Sequence, residues 1–64
     1  MCEFTVFLEN NGSREKIAKN VVKAKLKEGV VTLMDVGGNL TKVEKASIQT
    51  VDVLMQELIL KKEI

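Results

Sequence analysis

"VVKAKLKEGVVTLMDVGGN", residues 21–39, contains two strand patterns and two turn signals in one run. Val22, Ala24 and Leu26 alternate with Lys23, Lys25 and Lys27 until Glu28-Gly29 interrupts. Such a period of two marks a strand with one apolar face and one solvated lysine face. The next stretch is apolar in both phases, with Val31 and Leu33 in one and Val30, Met34 and Val36 in the other. One face can fill a core, and the second then needs cover from another layer or subunit. Gly37-Gly38-Asn39 is a hairpin signal, and Leu40 with "TKVEKA" supplies the returning strand.

The pattern continues upstream. In "CEFTVFLE", Phe4, Val6 and Leu8 alternate with Glu3, Thr5, Phe7 and Glu9, with Phe7 as the apolar exception on the outer face. Asn11-Gly12 follows, the dipeptide that best tolerates the positive φ angles of a two-residue hairpin. Ile17 and Val22 have opposite parity, so the alternation slips near Asn20 and predicts a bulge or kink. Downstream, "SIQTVDVLMQELILKK" is open to two readings. Ser47 could cap a helix with Ile48, Val51, Met55, Leu58 and Ile59 on one face, or "SIQTVDV" and "ELILKK" could be strands around a turn near Met55-Gln56. Six short segments between turn signals predict an all-β single domain over residues 1–64, a small β-barrel, with a helix over residues 47–64 as the other reading of the tail.

Composition narrows the function classes. Sixty-four residues with 45% hydrophobic content but two Phe and no Trp or Tyr give a small aliphatic core, for which a homodimer supplies extra burial. Ten Lys+Arg against nine Asp+Glu leave a net charge of +1, so no bulk field draws the chain to nucleic acid or membrane. One Cys excludes an intrachain disulfide framework. No signal-peptide pattern and no apolar run near the ~20 residues of a membrane span are present, so a soluble cytoplasmic protein with no membrane partner is expected.

Cys2 is the residue with the most open chemistry. Loss of Met1 would leave its α-amine beside its thiol, a pair that closes a five-membered chelate on a metal, and the Glu3 amide nitrogen can extend the donor set. If Met1 stays, its amine and the Cys2 amide take that part. Thiolate with planar nitrogens suits nickel(II) or copper(II). One chain offers too few ligands, whereas two chains on a two-fold axis supply two sulfurs and two nitrogens. The ordinary alternative is that Cys2, in phase with Phe4, Val6 and Leu8, extends the core face.

The Met1-Cys2 start, the Asn11-Gly12 turn, the turn at Gly29 ahead of the Val-rich strand, "DVGG" and "IQTVDV" together resemble the CooT family of small nickel-binding proteins, also described as predicted RNA-binding proteins. The resemblance implies an SH3-like barrel that forms a homodimer and holds one Ni(II) per dimer through Cys2, with a backbone nitrogen of Cys2 or Glu3. It also implies an accessory, metallochaperone-like role toward a nickel enzyme such as carbon monoxide dehydrogenase or its maturation proteins. "VLMQELILKK" departs from the pattern in lacking a Gly at the turn between the last two strands.

Two rivals follow from the residues. Lys23, Lys25 and Lys27 could form a phosphate track for RNA, although only Phe4 and Phe7 are available for base stacking. An ordinary solvated strand face explains the same lysines. Catalysis is not expected, since there is no His, no phosphate-binding Gly-rich loop and no nucleophile motif. Asp35 and Asp52 read as solvent-facing or turn-closing acids.

Overall fold

The computed structural model describes residues 3–63. It is all-β: β1 Phe4–Asn10, β2 Ser13–Lys27, β3 Val30–Asp35, β4 Leu40–Glu44, β5 Ala46–Asp52 and β6 Glu57–Lys62. They form one six-stranded sheet in the order β4-β3-β2-β1-β6-β5. All pairings are antiparallel except β1 with β6, which run parallel and join the two ends of the chain. The sheet curls into a small barrel, because the edge strands β4 and β5 are consecutive and separated by Lys45 alone. Lys45 takes φ 55°, and around this corner Ala46 N–H donates to the Gly29 carbonyl at 3.0 Å.

Turn chemistry sets the register. Asn11 and Gly12, at φ 55° and 82°, join β1 to β2, and Glu28 and Gly29, at 53° and 79°, join β2 to β3. Two successive positive φ values match the right-handed twist of the flanking strands. The parity slip read at Asn20 is a true irregularity: Asn20 takes φ 56°, and the β1–β2 register shifts between Phe4↔Val21 and Val6↔Ala18. The strand nevertheless runs unbroken for 15 residues. A second shift, between Val21 and Lys23 against β3, was not legible in the alternation. It puts Val21 on the same face as Ala24 and Leu26; of these Val21 is buried, while Leu26, like Val22 at the shift, stays exposed, at 46% and 40%.

The core gathers Val6, Val21, Val31, Leu33, Val43, Ala46, Leu58 and Leu60, with Phe4, Leu8, Ile17 and Ala18 packed against it. Val31 and Leu33 supply the inward phase of β3, as their spacing predicts. The ambiguous tail is two strands, with Leu58, Ile59 and Leu60 all buried. Three successive buried residues mean that β6 is covered on both faces there, so its sequence loses the alternation that marks half-buried strands. Ile59 lies level with Phe7 in the parallel ladder, which places the apolar exception of β1 beside it.

Candidate functional site

Cys2 lies outside the described residues. Glu3 is half-buried immediately ahead of β1, and Phe4 begins that strand opposite Val21. With Val22, Ile48, Val51, Leu58 and the Lys23 stem, Phe4 lines an apolar groove of about 210 Å³. Of its lining residues Val51 is 58% exposed, and Leu54 and Met55, in the turn that follows β5, are 91% and 62% exposed. Nothing in the sequence pattern marked this groove, because it joins β2 to β5 across the curled sheet.

Among the described residues no group of three or more His, Cys, Asp or Glu side chains is placed to hold a metal. The chain has no His and no second Cys. Of the donor set read from the sequence, the Cys2 thiolate with a backbone nitrogen of Cys2 or Glu3, only Glu3 falls among the described residues.

The structure brings the lysines together on the outer face. Lys23, Lys25 and Lys27 stand opposite Met34, Thr32 and Val30 of β3, and those stand opposite Leu40, Lys42 and Glu44 of β4. The result is a groove of about 530 Å³ lined by the four lysines, Glu28, Val30, Thr32, Met34 and Leu40. Lys42 and Leu40 were missed as members of this surface, since their place in it depends on the β3–β4 register. No aromatic side chain lines the groove.

Both isolated acids close turns. Asp35 Oδ1 accepts from Gly37 N–H at 2.9 Å and Asn39 N–H at 3.0 Å, and the Asn39 side-chain amide donates to Oδ2 at 3.2 Å. Donation from Asn39, by its backbone and then its side chain, holds the Asp35 carboxyl below its ordinary 3.8. Asp52 Oδ1 accepts from Met55 N–H at 3.0 Å across the β5–β6 turn.

The fold is a small barrel with one apolar and one basic groove, and Asp35 and Asp52 are engaged in its turns. The chain belongs to the CooT family: the family model, described as CO dehydrogenase accessory protein CooT, matches residues 1–61. No curated protein matches the chain. Among solved structures, the crystal structure of a protein assigned to CooT from Carboxydothermus hydrogenoformans matches with a TM-score of 0.86 at 24% identity, covering 98% of this chain and 100% of the other. That likeness establishes the shared fold.

Proposed function

We propose that this CO dehydrogenase accessory protein carries nickel, binding Ni(II) through the Cys2 thiolate and a backbone nitrogen of Cys2 or Glu3, with one ion shared by two chains. Family membership supports the accessory role. The observation that carries the dimer is the apolar groove at Phe4, two residues after Cys2. A second copy covering Val22, Ile48, Val51 and Met55 removes exposed aliphatic surface from water at roughly 25 cal/mol per Å². A two-fold axis passing near that groove brings the two Cys2 residues toward one another.

The mechanism is cargo exchange in the cytoplasm and needs no catalytic group. Thiolate and amide nitrogens suit nickel(II), with geometry and metal supply rather than affinity selecting it over copper(II), and release follows when the receiving protein's ligands displace them. Activation of nickel-free CO dehydrogenase tests this role. Nickel-loaded protein is expected to restore activity in the presence of a chelator that traps free nickel, and Cys2→Ala to restore none. Equal activation by Cys2→Ala would contradict it.

A further inference from the structure

The basic groove is a second surface, sharing only Lys23 with the lining of the apolar groove and, among the described residues, built without Glu3. Four of the chain's ten Lys and Arg residues, Lys23, Lys25, Lys27 and Lys42, line this one surface, and Glu28 is the one acid among its lining residues. In a chain of net charge +1 this is a strong local excess. The floor between the lysines is largely apolar: Val30 and Met34 flank Thr32 on β3 and are half-buried, and Leu40 at the β4 side is 62% exposed.

We propose that this groove docks an extended acidic polypeptide segment that also carries aliphatic side chains. Charge complementarity selects an anionic partner. The three β2 lysines recur at every second residue, about 6.6–6.8 Å apart along a strand, which is also the repeat of alternate side chains in an extended peptide. A segment lying over β3 turns one set of side chains toward β2 and the other toward β4. Carboxylates then meet Lys23, Lys25 and Lys27, while aliphatic side chains meet Leu40 and the adaptable thioether of Met34. Single-stranded RNA would use the same charges, but it draws much of its affinity from stacking on aromatic or Arg planes, and neither type lines the groove.

Fluorescence anisotropy at low salt tests the assignment with three labelled probes: a peptide of alternating Glu and Leu, a polyglutamate of equal charge, and an oligouridylate of equal charge. The Glu-Leu peptide is expected to bind most tightly. Lys25→Glu with Lys42→Glu should weaken it at least about tenfold. Leu40→Ser should weaken the Glu-Leu peptide severalfold and leave polyglutamate unchanged. All three substituted side chains are outside the core, and circular dichroism checks that each variant keeps its sheet. Tighter binding of oligouridylate, indifference of the Glu-Leu peptide to Leu40→Ser, or no saturable binding of any probe overturns the proposal.

Discussion

Asp35 shows how a single side chain can hold a loop in place. Its carboxylate collects the N–H groups of Gly37 and Asn39 and the Asn39 amide, fixing the β3–β4 connection in which Gly38 takes φ +85°. These donors favour the charged form, so its pKa falls below 3.8. A depressed carboxylate pKa adds stability above the unfolded-state value, and that stability is lost as pH drops through the lowered folded value. Urea unfolding of wild type and Asp35→Asn should therefore show wild type the more stable at neutral pH, with the gap closing below about pH 4. A gap that persists unchanged in acid would assign the effect to geometry instead of charge. The sequence pointed to a turn at Gly37-Gly38-Asn39, but the part played by Asp35 depends on loop geometry that spacing does not encode. Cys2 is the reverse case: its donor chemistry is legible from the sequence, and its placement lies outside the described residues.

At the scale of elements, the turn between β5 and β6 is the departure that the sequence flagged. It has no Gly, and the structure places Gln56 at φ 55°, where an L side chain is strained. Its carbonyl accepts from Thr5 N–H at 2.9 Å, which ties the turn to β1 and over-determines the conformation. Gln56→Gly relieves the strain at some cost in unfolded-chain entropy, for an expected net gain of about 0.5–1 kcal/mol. A rise in the urea midpoint checks this, and a fall would mean that the Gln56 side chain contributes more by packing. The strand-or-helix ambiguity of this region has a physical origin. Alternation reports one wet face, and the middle of β6 has none, since Leu58, Ile59 and Leu60 are all buried. By contrast β3 keeps a phase that burial respects, with Val31 and Leu33 buried, whereas the apolar phase of β2 at Val22, Ala24 and Leu26 stays exposed alongside its lysines.

The whole molecule depends on a thin core. Nine hydrophobic side chains are buried among the described residues, and Leu33 and Leu60 are the largest that are fully enclosed. Leu33→Ala should cost about 2–5 kcal/mol, much of what a domain of this size has to lose. Leu54→Ala, at 91% exposure, should change monomer stability by less than about 0.5 kcal/mol. Thermal unfolding of the two variants separates core from surface. Val51→Glu, on the rim of the apolar groove, is expected to favour the monomer in sedimentation without loss of sheet content. An unchanged dimer would place the interface elsewhere on the barrel. The barrel class followed from six strand patterns and their turns, whereas both grooves arise from register and curl, which bring together residues distant in the chain.

The most direct test is a nickel titration of the reduced protein, followed by ultraviolet absorbance and native mass spectrometry. Thiolate-to-nickel charge-transfer bands that saturate at one metal per two chains, with a nickel-bearing dimer in the mass spectrum and neither signal in Cys2→Ala, are the predicted result. Bands that survive Cys2→Ala, or saturation at one metal per monomer, would contradict a shared site built from two Cys2 residues.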